Sequence, residues 1–242
     1  MKTSSTAAAA ILLLAGCTGQ QPSSQGGATT TPEPSASVAS SPAPAGMSFE
    51  DIEPGTDLEA GTYVLNYSSI GGAEAFPTLA VTFTVPLGWQ RVMVDGLVWN
   101  DNGSRLGIVV VDGIYADACD PGAGVISPAI GPSVDDLSSA LLAYPGWEEA
   151  TASDVSIDGF EGQRVELNAR ADASCHGEAA QLFQTKGSPG FTMGPGNGDF
   201  HEVFILDVDE TRLVLLAISE AEASAGDRAG LQDVLDSIQI QP

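Results

Sequence analysis

The chain has 242 residues, of which 32 are acidic and 8 are lysine or arginine, so its formal net charge is −24 at pH 7. This charge repels phosphates and anionic head groups, which argues against nucleic-acid binding and against adsorption of the folded surface to a bilayer. The length suffices for one sizeable domain with shorter segments attached to it.

Residues 1–16 have the layout of a secretory signal sequence. Lys2 precedes an apolar run, Ala7 to Leu14, that is too short to span a bilayer. The run leads into Leu14-Ala15-Gly16-Cys17, which resembles the lipobox of bacterial lipoproteins residue for residue. The resemblance implies cleavage before Cys17, a diacylglyceryl group on its sulfur, and attachment to the extracytoplasmic face of the cell membrane. The alternative is an ordinary signal peptide with a chance cysteine.

Residues 17–46 are expected to form a lipidated, disordered tether. After Cys17 this segment consists mainly of Ser, Thr, Pro, Ala, Gly and Gln, and Glu33 is its charged residue. Such a composition cannot bury a core. A flexible coil of this length typically spans about 30 Å, and full extension sets a limit of about 100 Å. The tether would hold the domain away from the membrane.

Residues 47–242 are predicted to form a single α+β domain, an antiparallel sheet of about nine strands packed with two helices. Strict alternation from Leu79 to Val85 indicates a half-buried strand. Asp95-Gly96 and Asn102-Gly103 are typical hairpin turns, which predict a meander. Hairpins are also expected later in the chain. The predicted strands include residues 61–67, 79–85, 106–111, 155–157, 165–169, 202–207 and 212–218.

Two helices are predicted from N-terminal capping signals. Ser133 is followed three residues later by Asp136, and Ser224 is followed in the same way by Asp227. Pro145-Gly146 is expected to end the first helix. Apolar residues at helical spacing predict one buried stripe on each helix. The stripe residues are Val134, Leu137, Leu141 and Tyr144 in the first helix, and Leu231, Val234, Leu235 and Ile238 in the second.

Two cysteines remain once Cys17 is assigned to lipid. Cys119 and Cys175 are predicted to form a disulfide, since exported thiols are usually oxidised. The alternative is a metal site that combines both cysteines with His176 and His201. No C-x-x-C or H-x-x-x-H spacing supports that site. We therefore expect a disulfide and no metal.

No catalytic motif or cofactor site emerges from the chain. It lacks both a Gly-x-Ser-x-Gly elbow and a Ser-x-x-Lys motif. His176 and His201 are the only histidines, and catalysis by either is the weaker interpretation. Acidic turn residues could hold calcium but match no EF-hand loop, so solvated turn acids are favoured. These residues are Asp117, Asp120, Asp207, Asp209 and Glu210.

The three tryptophans allow two interpretations. Trp89, Trp99 and Trp147 each fall near the end of a predicted strand or helix. They could pack in the core or at its rim, or they could line one ligand groove, because function in such folds often lies in loops at sheet ends. The sequence does not decide between these arrangements.

The order of predicted elements carries a second resemblance. With the turn Pro86-Leu87-Gly88-Trp89 and the closing helix around Leu235-Asp236-Ser237-Ile238, the folded region resembles actinobacterial envelope lipoproteins of unassigned activity. More distantly it resembles the PsbP-like fold of LpqN-like lipoproteins. The resemblance implies a binding or adaptor module for an envelope protein or a small apolar ligand, and it transfers no catalytic residue. Its hairpin count and cysteine pair depart from that fold. The competing hypotheses are an envelope hydrolase and a passive surface lipoprotein.

Overall fold

The computed structural model describes residues 46–67, 78–92, 98–100, 103–170, 175, 180–185, 194, 196 and 198–242. These residues fall within one compact unit of the chain, Ala43–Pro242. The predicted signal sequence, Cys17, residues 17–45 and His176 lie outside the described residues. In the described part of the chain, no helix is both long and apolar enough to cross a membrane.

The described part of the domain is mainly antiparallel sheet with two α-helices. The helices are α1 (Val134–Ala143) and α2 (Ala225–Asp236). The strands in chain order are β1 (Met47–Ser48), β2 (Thr56–Asp57), β3 (Gly61–Asn66), β4 (Ala80–Val85), β5 (Trp89–Arg91), β6 (Val98–Asn100), β7 (Ser104–Val109), β8 (Val111–Ile114), β9 (Trp147–Ile157), β10 (Phe160–Ala169), β11 (Phe183–Thr185), β12 (Phe200–Val208), β13 (Thr211–Ser219) and β14 (Gln239–Gln241).

These strands form three sheets. The largest has eight strands in the order β2-β5-β6-β7-β13-β12-β10-β9. A four-stranded sheet has the order β1-β3-β4-β14, and β8 pairs with β11 in a third. The α+β class with a mainly antiparallel sheet is thus confirmed, whereas the predicted total of about nine strands is too low. The prediction missed short strands such as β1 and β2, because two residues show no measurable periodicity.

The central strands of the large sheet are buried on both faces. Along β13, Leu213 and Leu215 contribute to one hydrophobic core, while Val214 and Leu216 contribute to another. The first core also includes residues of β3, β4 and α2, and the second includes residues of α1. Because strand side chains alternate between faces, the large sheet separates two layers. One layer is the four-stranded sheet with α2, and the other contains α1.

Both helices begin where the sequence predicts. The Ser133 hydroxyl accepts a hydrogen bond from the backbone of Asp136 at 3.1 Å, and the Asp136 carboxylate accepts one from the backbone of Ser133 at 3.1 Å. Ser224 and Asp227 form the same capping box on α2. These reciprocal bonds satisfy backbone donors that a helix start otherwise leaves without a partner. The caps therefore fix the residue at which each helix begins.

Candidate functional site

A groove of about 350 Å³ lies between β9, the last strand of the large sheet, and the C-terminal part of α2. We call it the β9 groove. Its apolar lining residues are Val155, Ile157, Phe204, Leu235 and Ile238. Its polar lining residues are Ser156, Asp158, Gln232 and Asp236.

The apolar lining follows from strand and helix geometry. Val155 and Ile157 are two residues apart, so they lie on the same face of β9 as the first core, against which both pack. Phe204 reaches the groove from β12 and is only 5% exposed. Leu235 and Ile238 come from the end of α2 and the residues after it, and each is 4% exposed. The groove is thus an opening at the edge of the first core.

A tight turn closes one end of the groove. Asp158 (φ 50°) and Gly159 (φ 86°) join β9 to β10, and a two-residue turn with two positive φ angles suits an Asp-Gly hairpin. The Asp158 carboxylate accepts a hydrogen bond from the backbone N–H of Ile240 at 2.7 Å. Ile240 belongs to β14, so this bond ties the hairpin to the four-stranded sheet. It fixes the turn relative to the residues that follow α2.

A positively charged side chain, Arg164, lies beside the groove. The Arg164 guanidinium lies 6.0 Å from the ring centroid of Phe204, within the range of a cation–π contact. Arg164 also forms ion pairs with Glu202 and Glu166, the latter at 2.7 Å. Its positive charge is therefore balanced within the protein. The acidic rim residues Asp158 and Asp236 then leave the groove with a negative local charge.

The two described tryptophan side chains do not share a groove. Trp89 is 2% exposed in the first core, and Trp147 is 7% exposed in the second. They therefore lie on opposite sides of the large sheet, and the hypothesis of a shared ligand groove is wrong for this pair. Trp99 belongs to β6, but its side chain lies outside the described residues.

His201 lies on the face of the large sheet that packs against the second core, where its side chain is buried. It lies near the start of β12, and its side chain is 1% exposed, so it does not face solvent. Its ring centroid lies 5.2 Å from that of Trp147, and its Nε2 has no hydrogen-bond partner among the described residues. Burial, reinforced by the charge of Arg105, lowers the pKa of His201 to about 3. A substrate could not reach this imidazole in the described conformation.

The cysteine prediction is confirmed, since Cys119 and Cys175 are joined by a disulfide with an S–S distance of 2.05 Å. The bridge lies near the small β8–β11 sheet, where the backbone N–H of Gln181 donates to the carbonyl of Ala118 at 2.8 Å. The alternative metal site with His201 is wrong, because the sulfurs are bonded to each other and the imidazole is buried.

The acidic turn residues gain no metal-binding geometry. Asp207 and Glu210 line a second cleft of about 220 Å³ together with Arg212. Arg212 donates hydrogen bonds to the carbonyls of Gly131 at 2.9 Å and Val111 at 2.8 Å. Within the described residues, no group of three or more His, Cys, Asp or Glu side chains is arranged to hold a metal ion. Arg212 instead fastens the loop that precedes α1.

No protein-family model matches the chain, and no curated protein is significantly similar to it.

Proposed function

We propose that this chain is a lipid-anchored lipoprotein of the bacterial cell envelope whose folded domain is a binding module. The lipobox around Cys17 supports the anchor, and the predicted tether would carry the domain away from the membrane. The Cys119–Cys175 disulfide agrees with an oxidising, extracytoplasmic compartment. The resemblance to LpqN-like lipoproteins belongs to the same proposal, and the antiparallel sheet with two helices is compatible with it.

The β9 groove is the observation that carries the binding function. Small-molecule sites commonly have volumes of about 300 to 1,000 Å³, apolar walls and a few polar groups that orient the ligand. The groove volume of about 350 Å³ lies at the lower end of that range. Its walls are apolar side chains of β9, β12 and α2, and its rim bears two carboxylates. It suits a small apolar group.

Charge narrows the choice of ligand. The carboxylates of Asp158 and Asp236 line the groove, and the chain as a whole is strongly acidic. A ligand with a negative head group, such as a fatty acid, would be repelled. The favoured ligands are a neutral apolar molecule or an apolar side chain of an envelope protein, with a positive charge tolerated beside it.

Substitution of Val155 by serine is expected to weaken binding of a neutral apolar dye, Nile red, about five-fold. The change removes part of the groove wall, and each buried methylene is worth about 0.8 kcal/mol. Val155 is only partly buried, so the domain is expected to stay folded. Fluorescence titration of the dye measures the effect.

Ala152→Ser is the matched control. Ala152 is an exposed residue of the same strand, and its odd spacing from Val155 places it on the opposite face. This variant should bind the dye as the unmodified protein does. Equal affinity for all three proteins, or no dye binding at all, would contradict a binding role for the groove and favour the passive lipoprotein.

Replacement of Cys17 by alanine is expected to abolish lipid attachment. The thioether requires the cysteine sulfur, and without acyl chains no stable membrane association remains. Cell fractionation with labelled palmitate should show an unlabelled protein that is either uncleaved or released. A variant that stays in the membrane fraction after cleavage and still incorporates palmitate would refute the anchor.

A further inference from the structure

The large sheet has two edges that differ greatly in length. At one edge, β2 has two residues, whereas β9 at the other has eleven. Among the described residues, β9 pairs with β10 and no strand pairs with its outer side. Proteins usually protect such an edge by shortening it, by a bulge, or by placing charged residues or proline on it. β9 has an irregularity and two glutamates at its N-terminal end, whereas residues 150–157 contain no bulge, lysine or proline and carry one acidic residue, so the backbone of this part can accept another strand.

The two faces of β9 carry different chemistry. Val155 and Ile157 face the groove. Asp154 directly precedes Val155 in the strand, so its side chain points to the opposite face, on which α1 packs. Its cross-strand partner on β10 is Gln163. The Gln163 amide donates to Asp135 of α1 at 2.9 Å, so a second carboxylate lies on this face. Between Asp154 and Ile157 the edge is therefore apolar on the groove face and acidic on the other, whereas the preceding groove-face residues, Thr151 and Ser153, are polar.

We propose that the outer edge of β9 binds an extended segment of an envelope protein in which apolar and basic side chains alternate. Backbone hydrogen bonds to β9 would add this segment as a ninth strand of the large sheet. Its apolar side chains would enter the β9 groove, and its basic side chains would face Asp154 and Asp135. This inference rests on the proposed binding function and specifies the class of partner.

Charge complementarity selects this partner over two others. A second copy of the chain would bring together two molecules that each have a formal charge of −24. An anionic lipid surface would be repelled for the same reason. A basic segment is instead attracted by the negative potential that repels a second copy and an anionic lipid surface. Opposite charges across neighbouring strands contribute about 0.2 to 1 kcal/mol per pair, so the contacts add to the backbone pairing.

The test uses the full exported chain and a labelled nine-residue peptide of alternating valine and lysine. The peptide is expected to bind and to slow amide hydrogen exchange in β9. Methylation of alternate backbone nitrogens along its pairing edge should abolish binding, because it removes the hydrogen-bond donors. Asp154→Lys should weaken binding about five-fold, since it converts an opposite-charge pair into a like-charge pair. A valine–glutamate peptide should regain affinity for that variant.

Asp51→Lys is the control for net charge. Asp51 is exposed in the 3-10 turn before β2, and its substitution changes the formal charge by the same amount. Equal weakening by both lysine variants would overturn the proposal, because it would show non-specific attraction. Undiminished binding of the methylated peptide would also overturn it. So would a dimer in sedimentation experiments whose β9 amides are protected from hydrogen exchange without any peptide. Dye binding without peptide binding would refute this partner while the groove function stands.

Discussion

Acidification from pH 6.5 to pH 4 is expected to lower the free energy of unfolding by about 3 kcal/mol through His201 alone. Burial of the imidazole and the nearby charge of Arg105 lower the pKa of this side chain to about 3 in the folded protein. In the unfolded chain the ordinary value of 6.5 applies. The effect should be visible in urea unfolding curves at the two pH values.

The sign follows from which state binds the proton. Above pH 6.5 the imidazole is neutral in both the folded and the unfolded state, so His201 does not lower the free energy of unfolding. Between pH 6.5 and about 3 the unfolded chain is protonated and the folded chain is not. Each pH unit in this window therefore favours the unfolded state by about 1.4 kcal/mol. The stability is lost as the pH falls.

His201→Leu should remove this component and flatten the stability profile relative to the unmodified protein. Leucine also removes Nε2, a buried atom without a partner among the described residues, so stability at pH 7 should not fall greatly. His201→Gln, which is neutral and polar, provides a second variant. His176→Leu is the control, because it removes the other histidine. Parallel profiles for the unmodified protein and both His201 variants would disprove the buried, neutral histidine.

The sequence predicts best those elements whose chemistry is local. The two helices begin directly after Ser133 and Ser224 because a serine cap and an aspartate three residues later are within hydrogen-bonding reach. The pairing of Cys119 with Cys175 was inferred from the predicted export and from the even number of cysteines that remains after Cys17. Each of these predictions depends on a few neighbouring residues or on composition, and none requires knowledge of the sheet order.

The candidate site could not be predicted, because the strand that forms it has no strand-like pattern. From Glu148 to Asp154, β9 is polar or small, and most of it is exposed on both faces. An edge strand without a buried face shows no period-2 alternation. Only Val155 and Ile157 gave a signal, so a strand of three residues was predicted where eleven exist.

The groove also depends on contacts that are distant in the chain. The sequence predicts that a residue is buried in a strand or on a helical stripe, and it did so for Phe204, Leu235 and Ile238. Which of them lies at the edge of the core depends on where α2 crosses the large sheet. The bond from Ile240 to Asp158, 82 residues apart, shows the same dependence on the complete fold.

Reduction of the Cys119–Cys175 disulfide is expected to lower the free energy of unfolding by about 4 kcal/mol. The two cysteines are 56 residues apart in sequence. A cross-link over a loop of this length restricts the unfolded chain, and the chain-entropy treatment assigns about 4 kcal/mol to that restriction. Urea unfolding of the oxidised and reduced protein measures the difference. Cys17→Ala removes the remaining thiol and prevents exchange during the experiment.

The loop closed by the disulfide contains α1, β9 and β10. The loss of stability after reduction should therefore extend to the candidate site. After reduction, β9 amides should exchange faster than those of β3 and β4, which lie outside the loop. The Cys119→Ser/Cys175→Ser double variant should match the reduced protein, whereas Ser138→Ala, inside the same loop, should keep the oxidised stability within about 1 kcal/mol. Two titratable thiols in the denatured exported Cys17→Ala protein would disprove the bridge. An unchanged unfolding energy after reduction would show that the disulfide does not stabilise the strand on which the proposed binding depends.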